Sequence, residues 1–148
     1  AVTVPNNLCY IREGQGWANC EAEERKIWNE QMNGVIDQWV GRLGADAQAT
    51  GCLTIRDCRE QNLTDGSQQE RRTQIAYLLS LGHIEQAART DPAHLAVHAA
   101  FVRMYTKPTF TPRMHVWVEL AVLKSDEMSN EYVNCHPQTG LLPFFAAN

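Results

Sequence analysis

The chain has 148 residues, of which 44% are hydrophobic and 20% charged, and it carries a net charge of −4 at pH 7 with a sequence pI near 5.7. These values are typical of a globular domain, and we expect residues 1–148 to form a single domain. The acidic balance argues against nucleic-acid binding, which needs a basic surface. No apolar run reaches the roughly 20 residues that a membrane-spanning helix needs, so we expect no membrane span.

Residues 1–17 contain Pro5, two asparagines and two glycines, and this composition predicts an irregular N-terminal arm. The chain starts at Ala1 without an initiator methionine, which fits the mature end left after removal of a signal peptide, although a trimmed chain would look the same.

The first predicted helix runs from about Cys20 to Leu43. Three glutamates lie in its first turn, where the helix dipole favours negative charge. Apolar residues then recur at helical spacing and indicate a core-facing stripe rather than an aromatic ligand site: Trp28, Met32, Ile36, Trp39, Val40 and Leu43.

The segment from Ala45 to Asp65 is predicted to be a loop. Ser67 and Glu70 have the spacing of a capping box, which predicts a second helix that Gly82 ends or kinks. The sequence HIEQAAR adds a short helical piece.

Two further helices are predicted from proline start signals. Pro92–Tyr105 is capped by Thr90 or Asp91, and Pro112–Lys124 follows a proline-bounded connector. Residues 114–122 would also suit a buried strand, but we favour a helix because its start signal is good and no second strand is predicted to pair with it. A short helix over 126–133 completes the elements.

The predicted fold is therefore all-α, a single domain of four to five helices with an irregular N-terminal arm and disulfide staples. Residues 137–148 form an apolar C-terminal tail that docks on the body or meets a partner.

Five scattered cysteines without a metal-binding spacing predict disulfide bonds and an oxidising compartment, secreted or periplasmic: Cys9, Cys20, Cys52, Cys58 and Cys135. Cys52 could pair with Cys58. Cys9 could pair with Cys20, or either of these two could pair with Cys135. One thiol is left over, either buried or linking two chains as a homodimer. Asn62 fits the glycosylation acceptor pattern.

The sharpest chemical feature is a histidine pair, His94 and His98, four residues apart on a predicted helix. On a helical wheel both fall within the apolar face with Phe101, and side chains at this spacing can share one metal ion. His115 and Glu119 form a second pair on the next predicted helix. If the two helices pack antiparallel, all four could surround zinc or, less specifically, copper or iron.

The alternative is that both helix histidines hydrogen-bond within a packed core and bind no metal. No nucleophile elbow, HExxH motif or phosphate-binding loop is present. The main hypothesis is therefore a small exported binding protein without a cofactor and not an enzyme, such as an inhibitor, an immunity-type partner or a subunit of a larger assembly, acting on another protein. The second hypothesis is a metal- or haem-binding protein or metalloenzyme built on the histidine pair.

Overall fold

The computed structural model of the chain describes residues 1–145. Its strands are β1 Leu8–Gly16, β2 Cys52–Gln61, β3 Gln68–Leu78 and β4 His115–Leu123. Its helices are α1 Ala22–Gln31, α2 Asn33–Ala45, α3 Ala47–Thr50, α4 Leu81–Thr90 and α5 Pro92–Tyr105, and a 3-10 turn spans Ser125–Glu127.

The four strands form one antiparallel sheet in the order β2-β3-β1-β4. β1 is a central strand, with Cys9 opposite both Leu78 of β3 and Val122 of β4. Because side chains alternate across a strand, Cys9, Ile11, Glu13 and Gln15 share one side of the sheet. We call this side the helix face, because α2, α4 and α5 pack against it.

The all-α prediction is wrong, since this is an α+β fold. The predicted N-terminal arm contains β1, the predicted loop contains β2, and the predicted fourth helix is β4. A helix is predicted for the β4 segment because no partner strand is predicted from the sequence. That partner is β1, which pairs with β4 from Leu8↔Leu123 to Gly16↔His115.

The predicted capping-box helix is instead strand β3, and its cap residue belongs to a hairpin turn. The backbone N–H and the hydroxyl of Ser67 both donate to Asp65 Oδ1, at 2.9 and 2.7 Å. Gly66 has φ +71°, a conformation that favours glycine, and Asn62 N–H donates to the Ser67 carbonyl at 2.8 Å. These bonds close the β2–β3 turn, so the side chain of Ser67 does not cap a helix.

The helices bear out part of the sequence pattern. The predicted first helix is present but divided into α1 and α2 at Met32. The predicted bounds of α5 are confirmed, with Asp91 as N-cap accepting from the Ala93 N–H at 2.9 Å. The buried stripe of α5 is, however, centred on Ala100 and Met104, not on the histidines.

Apolar clusters lie on both sides of the sheet. On the helix face, Trp39 and Leu43 of α2 pack on the strands, and a second cluster joins α1, α2 and α5. The opposite side, the outer face, is covered in part by N- and C-terminal residues, including Val2, Val4 and Leu141. The predicted tail thus docks on the body through Leu141, while residues 146–148 of that tail lie outside the described residues.

All five cysteines are free thiols, so the predicted disulfide staples are wrong. Cys52 and Cys58 lie six residues apart on one extended strand, about 20 Å at roughly 3.3 Å per residue. A disulfide needs Cα atoms within about 7 Å. Burial raises the pKa of Cys52 to about 11, which keeps that thiol protonated. The secreted or periplasmic location loses its support from disulfides and stays a prediction.

No helix within residues 1–145 combines the length and hydropathy needed to cross a bilayer.

Candidate functional site

An open cavity separates the helix face of β1 and β4 from helices α1, α2 and α5. Its enclosed volume is about 100 Å³, and it is open to solvent on one side. Its walls are mainly apolar and aromatic, and include Trp28, Trp39, Val97, Phe101, Val116 and Val118. An adjoining cavity on the side of α4 shares Trp39, Glu13 and His94.

His94 lines both cavities from the first turn of α5. Its Nδ1 lies 2.9 Å from the carbonyl oxygen of Ala88, and its ring meets the Trp39 ring edge-on at a centroid distance of 5.1 Å. A carbonyl oxygen can only accept, so Nδ1 carries the proton and Nε2 has the free lone pair. This second bond, which fixes the tautomer and the ring, is the usual arrangement of a metal-binding histidine.

The other three predicted ligands do not join His94. His98 is exposed on α5. His115 and Glu119 lie opposite Gly16 and Arg12 of β1, on the outer face, so the sheet separates them from the cavity. Within residues 1–145, no group of three or more His, Cys, Asp or Glu side chains could hold a metal ion.

The two outer-face residues have partners of their own. His115 stacks on Trp117 with a centroid distance of 5.1 Å, and Glu119 forms a 3.3 Å ion pair with Arg12. The side chains that β4 presents to the cavity are Val116 and Val118.

A chain of hydrogen-bonded polar side chains, of which Gln15, Gln74 and Arg72 are buried, fixes one polar group of the cavity wall, Gln15. Its Nε2 donates to Gln74 at 3.0 Å, and Gln74 donates to Asp57 at 3.0 Å. Arg72 binds both carboxylate oxygens of Asp57, at 2.8 and 3.0 Å, and reaches Asp37 of α2. Burial alone would raise the pKa of Asp57, but the bonds from Arg72 and Gln74 hold it below its ordinary value. The Gln15 amide is therefore held in one orientation.

A buried carboxylate, Glu24 of α1, anchors the segment that leads into β4. It is fully buried and accepts from the backbone N–H groups of Arg113 and Met114 at 2.9 and 3.0 Å, and from the Tyr105 hydroxyl at 3.0 Å. Burial alone would raise its pKa, but these bonds hold it below the ordinary value. Glu24 thereby fixes the position of β4, with Val116 and Val118, relative to α5.

Glu13 differs from these carboxylates. It lines both cavities beside Gln15, and within residues 1–145 its carboxyl has no hydrogen bond or ion pair. Burial raises its pKa.

The comparison with protein families decides how this cavity is to be interpreted. The family model described as haem-containing dehydratase matches residues 1–141. The chain belongs to this family. The family description makes haem the group against which His94 and the apolar cavity are to be judged.

Individual relatives of this chain carry the names of enzymes. Phenylacetaldoxime dehydratase of Bacillus sp. (strain OxB-1) is 35% identical over 144 residues, which are 97% of this chain and 41% of that protein. Aliphatic aldoxime dehydratase of Pseudomonas chlororaphis is 31% identical over 93% of this chain and 38% of its own length. A crystal structure of an aldoxime dehydratase in complex with butyraldoxime matches with a TM-score of 0.86 at 28% identity, covering 95% of this chain and 38% of that one. The chain thus spans about two fifths of the length of these relatives.

These matches correct three predictions. The main hypothesis of a binding protein acting through protein contacts is wrong, and the alternative of a haem-binding metalloenzyme fits the family. The expectations of no enzyme and no cofactor are wrong for the same reason. Zinc was the preferred metal, whereas the metal of this family is the iron of haem.

The sequence argument missed Glu13 and Gln15. Both lie in β1, within the segment that the sequence predicts to be an irregular arm, so neither residue could be assigned to a face of a sheet. The signal in the sequence is the alternation of apolar and polar side chains from Cys9 onwards, which is typical of a strand. Gly14, Gly16 and the polar side chains of Glu13 and Gln15 interrupt this alternation.

Proposed function

We propose that this chain forms the haem-binding part of an aldoxime dehydratase and that His94 holds the haem iron. The observation that carries the proposal is the His94 imidazole itself, with Nδ1 bonded to the Ala88 carbonyl and the ring facing an apolar cavity.

The residues present fit the group. A histidine ligand is one of the usual ways in which proteins hold haem iron. The aromatic and aliphatic walls suit a flat, largely apolar macrocycle. The described lining holds no second histidine, which supports an iron position available to substrate.

The names of the relatives suggest the substrate class. Dehydration of an aldoxime, R–CH=N–OH, removes the carbon-bound hydrogen and the hydroxyl as water and leaves a nitrile. When bound, haem supplies an iron that can coordinate the oxime and weaken its N–O bond. The protein side chains hold the hydrocarbon against Trp39 and Phe101 and place the polar end near Glu13 and Gln15. Aldoximes with apolar side chains, aliphatic or arylalkyl, therefore suit the cavity.

The first test is haem binding by the purified chain. Titration with haemin should give a Soret band that saturates near one haem per chain and shifts on addition of butyraldoxime, and gas chromatography should detect butyronitrile. The variant His94→Ala should lose the saturable band. His98→Ala is the matched control, because it removes an exposed histidine from the same helix.

Two results would overturn the proposal. One is a wild-type chain without saturable haem binding. The other is His94→Ala binding haem as tightly as His98→Ala does.

We also propose that the protein forms a homodimer linked through an unpaired cysteine, and Cys135 is the candidate because it is exposed. The edge strand β4 adds two exposed apolar side chains beyond the cavity lining, which support a contact with another chain: Leu120 and Val122. Light scattering should give a dimer mass that falls in Cys135→Ser under non-reducing conditions. An unchanged monomer mass in both forms would contradict the link.

A further inference from the structure

We propose that Glu13 is the catalytic residue that protonates the leaving hydroxyl group of the aldoxime. This inference rests on the proposed function and names the proton donor of the same cavity.

The sheet places Glu13 on the cavity wall across from α5. It lies opposite Val118 of β4 and Gln74 of β3, and all three side chains share the helix face. His94 belongs to the helix side of the same cavity. A ligand lying between the helix and the sheet thus meets the imidazole from one side and the carboxyl from the other.

The lining leaves few alternatives for proton transfer. Among the described residues that line the cavity, His94 and Glu13 are the ionisable side chains. Nδ1 of His94 is bonded to Ala88, and its Nε2 is assigned to iron. The neighbouring polar groups that face Glu13 from β1 and β3 are the amides of Gln15 and Gln74, which do not titrate.

The carboxylates of Glu24, which is buried, and Asp57, which is exposed, already have partners. Glu24 accepts three donors, and Asp57 is bound by Arg72 and Gln74. Glu13 has no such partner within residues 1–145, and burial raises its pKa, which favours the protonated form that a proton donor needs.

The proposed step balances without an added reagent. The Glu13 carboxylic acid gives its proton to the oxime oxygen, the N–O bond breaks, and water leaves with the bonding pair. The C–H bond supplies the electron pair of the third carbon–nitrogen bond, and its proton passes to the Glu13 carboxylate. The carboxylic acid is restored and the nitrile forms. Carbon is oxidised and nitrogen is reduced by the same two electrons, so the step needs no external oxidant or reductant.

The test compares three variants of the haem-loaded full chain. Glu13→Gln keeps the size of the side chain but cannot give up a proton, Glu13→Asp keeps the acid, and Glu85→Gln removes an exposed carboxyl of α4 as a control. We expect Glu13→Gln to lower single-turnover butyronitrile formation about 100-fold or more, the usual scale for loss of a general acid. Glu13→Asp should recover part of this loss, and Glu85→Gln should match the wild type.

Two further measurements separate chemistry from folding. The haem Soret titration of Glu13→Gln should match that of the wild type, and its Kd for butyraldoxime should change by less than about tenfold. Infrared spectra of the haem-free protein, recorded as pH is raised from acid, should show one carboxyl that stays protonated to higher pH than the exposed glutamates, and Glu13→Gln should lack that band.

A Glu13→Gln variant that binds haem and turns over at the wild-type rate would refute the role of Glu13 while leaving the haem proposal intact. A Glu13→Gln variant that loses haem would also refute it, since Glu13 would then be structural. A wild-type chain that binds no haem would overturn both proposals.

Discussion

We expect the carboxylate of Glu24 to contribute about 1–3 kcal/mol to the free energy of unfolding. The variant Glu24→Gln keeps one oxygen but replaces the other with an amide nitrogen. The oxygen Oε2 accepts the Arg113 N–H at 2.9 Å. If the amide nitrogen takes this position, it and the Arg113 N–H are both donors and cannot form a hydrogen bond. Leaving one buried donor unpaired costs about 1–3 kcal/mol.

The matching change in melting temperature follows from the size of the chain. A domain of about this length loses about 2–4 °C per kcal/mol, so we expect Glu24→Gln to melt about 2–12 °C lower. Glu30→Gln is the control on the same helix, because Glu30 is exposed, and we expect a change within about 0.5 kcal/mol. Circular dichroism at pH 7 measures both melts.

The pH dependence has a definite sign. The pKa of Glu24 in the folded protein is lowered, so its stabilisation is present above the ordinary glutamate pKa of about 4.3 and is lost as pH falls through the folded value. The gap between wild type and Glu24→Gln should therefore narrow as pH falls below about 4. Equal melting of Glu24→Gln and Glu30→Gln at pH 7, or a gap that widens in acid, would refute this account.

Two other predictions concern packing and thiols. In Gly14→Ala, the new Cβ would lie 2.2 Å from Trp117 Cζ2 and 2.7 Å from the Arg72 carbonyl, so urea unfolding should show a loss of about 1–3 kcal/mol and tryptophan fluorescence should shift. Gly34→Ala meets nothing within 4 Å and should be neutral or slightly stabilising in its helix, and an equal loss there would contradict the packing argument. With Ellman's reagent and no reductant, the unfolded monomer should titrate five thiols and the unfolded Cys135-linked dimer four per chain, whereas three or fewer per chain in denaturant would mean that a disulfide exists within the chain.

Local sequence determined the helices well where the signals were complete. The segment Pro92–Tyr105 carries an N-cap, a favoured first-turn proline and a long apolar stretch, and α5 has the predicted bounds. His94 was identified as a candidate ligand from the same segment. Such signals depend on residues a few positions apart, so they can be read without knowing the fold.

Only the tertiary structure decided the sheet and the composition of the cavity. β1 and β4 pair across about a hundred residues of chain, from Leu8↔Leu123 to Gly16↔His115, and nothing local specifies such a partner. β1 also breaks the apolar alternation that would mark a strand, because it places Glu13 and Gln15 on the helix face where a plain core would need hydrophobic side chains. The polar residues that we assign to the reaction therefore removed the pattern by which β1 could have been predicted. A site that transfers protons needs polar side chains at positions where packing alone would favour apolar ones.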